Sequence, residues 1–87
     1  MQGAPAILIQ IADCESGIRQ YDDQGKVLRG PTKDIGLFQI APLWIPTAQK
    51  LGYDIFTEKG NVQMALYIYH LYGTQPWTSS DGCWLTG

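Results

Sequence analysis

Apolar residues recur at intervals of three and four from Pro5 to Glu15, at Ile7, Leu8, Ile11 and Ala12, which predicts an amphipathic helix. Pro5 suits its first turn and Gly17 stops it. Glu15 lies four residues after Ile11 and eight after Ile7, so the spacing carries its carboxylate toward the core side. Burial raises a carboxyl pKa, and a carboxylate placed there is costly unless it is paired or used. From Arg19 to Lys33 the texture turns polar and glycine-bearing. Gln24-Gly25 predicts the turn of a short hairpin, and Gly30-Pro31 predicts a second turn. A compact apolar segment follows, Ile35-Gly36-Leu37-Phe38-Gln39-Ile40, closed by Pro42. Pro46 predicts the start of a short helix that runs to Leu51 and ends at Gly52. Asn61 suits the N-cap of a last long helix, Val62 to Tyr72. That helix is apolar nearly all round, which predicts a central, buried position. The tail from Gly73 sets Trp77, Cys83 and Trp84 among Ser, Gly and Pro, and only tertiary contacts can pin it.

At 87 residues the chain has room for a single domain, 1–87, and no second core. Hydrophobic residues at 45% and charged ones at 16% mark a globular composition. No stretch approaches the ~18 uninterrupted apolar residues of a membrane span. Six Lys plus Arg against eight Asp plus Glu, with no basic cluster, argues against nucleic acid as a partner. No basic region precedes an apolar run with a cleavage site at the N-terminus, so any export signal is expected to have been removed.

Cys14 and Cys83 lie far apart, without the close couples of a zinc site. Two buried thiols or one disulfide remain. The disulfide is favoured, because closing about 70 residues removes roughly 4 kcal/mol of unfolded-state entropy in the chain-entropy model. A core of this size supplies only ~3–5 kcal/mol. A bond between them implies an exported protein and folds the tail back onto the helix end carrying Glu15. His70 has no second ligand at helical spacing, so no metal is expected.

Asp34 enters the Gly36-containing segment from the polar loop, which sets two carboxylates, Glu15 and Asp34, in different environments. Acid-assisted glycoside cleavage needs such a pair, one carboxyl protonated to serve the leaving oxygen and one ionised to face the positive sugar carbon. The order Cys14-Glu15-Ser16-Gly17, then Asp34-Ile35-Gly36-Leu37-Phe38-Gln39-Ile40, resembles the lysozyme-like superfamily: c-type lysozymes, resuscitation-promoting factors and lytic transglycosylases. Asp-x-Gly-x-x-Gln-Ile is similar to the c-type pattern. Cys-Glu-Ser-Gly with a late second cysteine resembles the resuscitation-promoting factors, in which those cysteines are bonded. The likeness runs from about Ile7 to Trp84.

The resemblance implies roles. Glu15 matches the general acid and Asp34 the second carboxylate. Gln39 and Ser16 match cleft residues that touch substrate. Trp77 resembles the tryptophan that walls the acid's pocket, which implies a raised Glu15 pKa. Tyr69, an apolar body with a polar tip, is a further candidate for the cleft, whereas Trp44 and Trp84 read as core anchors. The tail lacks the Ala-Tyr-Asn-Ala-Gly-like segment of many lytic transglycosylases. The cysteines are fewer than in animal c-type enzymes, which points to a minimal bacterial or phage form. The net charge of −2 makes electrostatic steering to an anionic wall weak or local.

The expected fold is therefore α+β, mostly helical and lysozyme-like, with a small β-hairpin lobe flanking the cleft. The expected activity is cleavage of the β-1,4 bond between N-acetylmuramic acid and N-acetylglucosamine in peptidoglycan. Its setting would be secreted, periplasmic or cell-wall associated, with a monomeric chain and no cofactor. Two rivals stand beside it: a lytic transglycosylase using Glu15 alone, and a non-catalytic glycan-binding module.

Overall fold

The computed structural model describes residues 3–85. Helix α1 (Ala6–Ser16) starts after Pro5 and ends at Gly17, whose N–H returns to the Ala12 and Asp13 carbonyls. It buries Leu8, Ile11 and Ala12, the stripe expected from the spacing. A 3₁₀ turn (Pro42–Trp44) leads directly into α2 (Ile45–Leu51), which Gly52 closes. Helix α3 spans Glu58–Tyr72 and a second 3₁₀ segment spans Gln75–Ser80. The tail thus gains helical order and finishes with α4 (Asp81–Trp84), which packs on α1. One cluster of Leu8, Ile11, Ile35, Leu37, Phe38, Met64, Ile68, Trp77 and Trp84 holds these elements together.

The expected α+β fold with a β-hairpin lobe does not form. Among the described residues there is no sheet, only isolated antiparallel bridges at Tyr21–Val27, Arg29–Ile35 and Ile35–Ile40. The hairpin turn itself is present: the Asp22 carboxylate accepts from the Gln24 and Lys26 N–H groups, at 2.8 and 2.9 Å. It is followed too soon by a turn at Gly30–Lys33 and another at Gly36–Gln39. Strands usually need about five or six residues, and the chain reverses before a ladder can extend beyond one pair.

Helix α3 also begins earlier than its apolar run. Thr57 is the N-cap, its hydroxyl accepting from the Gly60 N–H at 3.1 Å. Asn61 lies inside the helix and is fully buried. Its carboxamide accepts from the Phe38 N–H and donates to the Ile35 and Ile55 carbonyls, each at 2.9 Å. Gln20, also buried, donates to the Ile55 carbonyl and accepts from the Leu37 N–H. An irregular apolar segment has backbone groups that no ladder satisfies, and these two amides satisfy them instead. The helix is buried on one face only, since Leu66, Leu71 and Tyr72 are exposed.

Gly36 is fixed by this cradle. Its φ is +73°, and a Cβ there would lie 2.5 Å from Gln20 Oε1 and 2.6 Å from Asn61 Nδ2. Gly36→Ala is therefore expected to cost about 3 kcal/mol, from left-handed strain plus disrupted buried hydrogen bonds. A urea titration should show a lower midpoint at an unchanged slope.

Candidate active site

Glu15 stands on the last turn of α1, held half-buried because α4 and the preceding tail pack beside that helix end. The Cys14–Cys83 disulfide spans 69 residues and ties the tail next to it. Glu15 Oε2 accepts a hydrogen bond from the Ser80 hydroxyl. Burial pushes the Glu15 carboxyl pKa up, the Ser80 bond opposes that, and the negative charge of Asp34 adds to the rise. The carboxyl thus favours its protonated form more than a free glutamate does.

Two cavities share Gln39 as a common wall. One, about 360 Å³, is lined by Glu15, Ser16, Arg19, Arg29, Gly30 and Gln39 among others. The other, about 310 Å³, brings in Asp34, Leu43, Trp44, Pro76 and Trp77. A third hollow shares Trp44 and Pro76 with the second and adds Tyr72, whose ring lies 5.9 Å from that of Trp44. The three form a row, acid at one end and aromatic at the other. A larger hollow of about 390 Å³ between α2 and the Tyr53–Phe56 segment holds a single carboxylate, Asp54, and offers no acid pair.

Asp34 is half-buried, and its Oδ2 accepts from the Thr32 hydroxyl at 2.8 Å. Gln39 is held at φ +50° with its Nε2 donating to the Gly36 carbonyl at 2.8 Å. Its other amide atom, Oε1, occupies the space a Cβ on Gly30 would need. The glycine of the Gly30-Pro31 turn therefore makes room for the wall between the cavities. Ser16 lines the Glu15 cavity, but its hydroxyl donates to the Leu37 carbonyl at 2.7 Å and accepts from the Arg19 N–H. It staples the helix end to the apolar segment.

Trp77 is buried, its indole N–H donating to the Phe38 carbonyl and its ring tilted against Phe38. It lines the Asp34 side of the row, and its main-chain oxygen lies 3.0 Å from the Ser80 Oγ that meets Glu15. The indole beside the acid's partner belongs to Trp84, which donates to Ser80 Oγ at 3.0 Å. Tyr69 packs part-buried against the core and is not among the residues lining these cavities. The structure thus brings Glu15, Asp34, Ser16, Gln39 and Trp77 to one row of cavities.

Sequence reasoning missed Ser80, Arg19, Arg29 and Pro76. Only one signal pointed to Ser80: it lies three residues before Cys83, on the segment a disulfide would carry to Glu15. Arg19 and Arg29 are drawn toward other partners, a weak 3.5 Å contact to Asp23 and the Lys33 carbonyl respectively. Among the described residues no helix is long and apolar enough to cross a membrane. Compared with models of protein families, with curated proteins and with solved structures, the chain matches none of them.

Proposed function

We propose that this protein cleaves the β-1,4 bond between N-acetylmuramic acid and N-acetylglucosamine in peptidoglycan, outside the cytoplasm. The observation that carries this reading is Glu15: a half-buried carboxyl with raised proton affinity, opening on a cavity and within electrostatic reach of Asp34. A protonated carboxyl is the group that a glycosidic oxygen needs as it leaves. In the reading, Glu15 gives its proton to that oxygen as the C1–O bond breaks. Asp34, ionised, supports the positive anomeric carbon. Water then adds to C1 and its proton returns to Glu15. The short row of cavities, ending in Trp44 and Tyr72, suits an extended chain with apolar sugar faces. The disulfide supports a setting outside the reducing cytosol. The sequence resemblance to lysozyme-like enzymes supports the same chemistry.

One observation favours a second reading. The Thr32 hydroxyl already occupies Asp34 Oδ2, as it would for a carboxylate that only organises the turn. Glu15 would then act alone, and the muramic 6-hydroxyl would attack C1 to close an anhydro ring. Mass spectrometry of digested cell wall separates the two, by reducing-end against anhydro products. Asp34→Asn is expected to cost several kcal/mol of transition-state stabilisation, a loss of about 100-fold or more in kcat, with the fold intact. A fully active Asp34→Asn variant making anhydro products establishes the second reading. No cleavage by the unmodified protein, with retained binding to cell wall, leaves a glycan-binding module.

A further inference from the structure

We propose that Ser80 is the positioning residue that serves Glu15 in both protonation states, donating to its carboxylate and accepting from its carboxylic acid. This rests on the reading of Glu15 as the proton donor and deepens it.

Three groups converge on Ser80 Oγ. The Trp84 indole N–H, which can only donate, approaches it at 3.0 Å and also lies 3.3 Å from the Trp77 carbonyl. That carbonyl, which can only accept, lies 3.0 Å from Oγ. Glu15 Oε2 is the third neighbour. The hydroxyl has one hydrogen and two acceptors within reach. When Glu15 is ionised, that hydrogen points at Oε2. When Oε2 is protonated, its O–H donates to the free lone pair of Oγ and the serine hydrogen turns to the Trp77 carbonyl; when the proton sits on Oε1, free to pass to substrate, Oε2 accepts from the serine again. A rotation about one Cβ–Oγ bond interconverts the two orientations of the hydroxyl, and the serine hydrogen is used in each.

A fixed donor at this position would favour the carboxylate and reduce the share of acid. A fixed acceptor would hold it protonated and oppose the return of the proton. A hydroxyl does neither, so Glu15 can lose and regain its proton with little rearrangement. The mount is rigid: Trp84 is buried, and Cys83 beside it is bonded to Cys14 beside Glu15. The other charged groups that act on Glu15 or line its cavity are Asp34 from the loop and Arg19 and Arg29 across the cavity, while Asp13 and Asp81 are neighbours in sequence of Cys14 and Ser80. Each has a fixed charge type, and none can both donate to and accept from the carboxyl through one rotor.

The test is an NMR titration of the whole protein that needs no enzymatic activity. The chain has two glutamates, so carboxyl-labelled glutamate gives two resonances, assigned with Glu58→Gln. The Glu15 midpoint is expected to move upward in Ser80→Ala, because of the two bonds lost the charge-assisted one to the carboxylate is the stronger, and to return to the wild-type position in Ser80→Thr. Asp34→Asn should move it the other way. In the unmodified protein the Trp84 indole N–H should titrate at the Glu15 midpoint, and that step should vanish in Glu15→Gln. On cell wall, kcat is expected to fall roughly tenfold in Ser80→Ala and to recover in Ser80→Thr. An unmoved Glu15 midpoint in folded Ser80→Ala overturns the proposal, as does a Trp84 indole blind to Glu15 in the unmodified protein. If both NMR effects appear but the protein does not cleave cell wall, the Ser80 switch stands and the glycosidase reading falls.

Discussion

On the proposed glycosidase reading, Glu15→Gln is expected to lower the rate of cell-wall cleavage at least about 100-fold at its optimum, the lower end of what a general acid contributes. The amide keeps the shape of the carboxyl but has no proton to give. Ser80 can still donate to the amide oxygen or accept from its nitrogen, so the helix end should keep its packing. Stability should respond in the opposite sense to activity. Burial and Asp34 raise the folded-state pKa of Glu15 above its ordinary value of 4.5, against the Ser80 bond. A raised carboxyl pKa means that the folded state holds the proton more tightly than the unfolded one. The stabilisation is therefore full below the unfolded value and is lost as pH rises through the folded value. Above that window the unmodified protein carries a half-buried charge that the glutamine variant lacks. Glu15→Gln is thus expected to be at least as stable at about neutral pH, with a flatter dependence of stability on acidity. A turbidity assay and urea midpoints on both sides of the window check the two halves. Retention of more than a tenth of the activity would remove Glu15 from the mechanism.

Reduction of the Cys14–Cys83 bond is expected to produce the largest loss of stability available in this chain. The bond spans 69 residues, nearly the whole protein. In the chain-entropy model a closure of this length restrains the unfolded state by about 4 kcal/mol. For a domain of this size that corresponds to a fall in Tm of roughly 15–30 °C. Total stabilities are of order 5–15 kcal/mol, so the reduced protein would sit close to its threshold. Activity should fall along with stability, because the bond also seats Ser80 and Trp84 against the acid. Intact mass is expected to be two daltons below that of the reduced chain. The paired Cys14→Ala and Cys83→Ala variant, assayed well below its own Tm, separates the two effects. If it matches the unmodified protein in both Tm and turnover, the bond has neither role.

The limits of α1 and α2 were legible because they depend on neighbours in sequence: Pro5 and Gly17, Pro46 and Gly52, and apolar residues at three and four. The half-buried carboxyl at the end of α1 followed from the same period, and the disulfide from two cysteines without the spacing of a metal site. The row of cavities was not legible. It is assembled from the end of α1, two turns of the polar loop, the Pro42–Trp44 turn and the tail. The start of α3 was misplaced because apolar periodicity begins at Val62, whereas Thr57 supplies a cap the period does not register. Asn61, a good cap by residue type, was claimed instead by the unpaired backbone of the apolar segment.

The sequence by itself determined the helical punctuation, the covalent link and the presence of one carboxyl where burial would raise its proton affinity. These are local energies, set within a turn or by a single bond. Only the tertiary structure decided that no sheet forms among the described residues, that Gln20 and Asn61 satisfy the loop that a sheet would have satisfied, and that Ser80 meets Glu15. A buried polar atom must find a partner somewhere, and the chemistry of the residue does not say where. That choice is made by what the folded chain brings within hydrogen-bond distance, often tens of residues away.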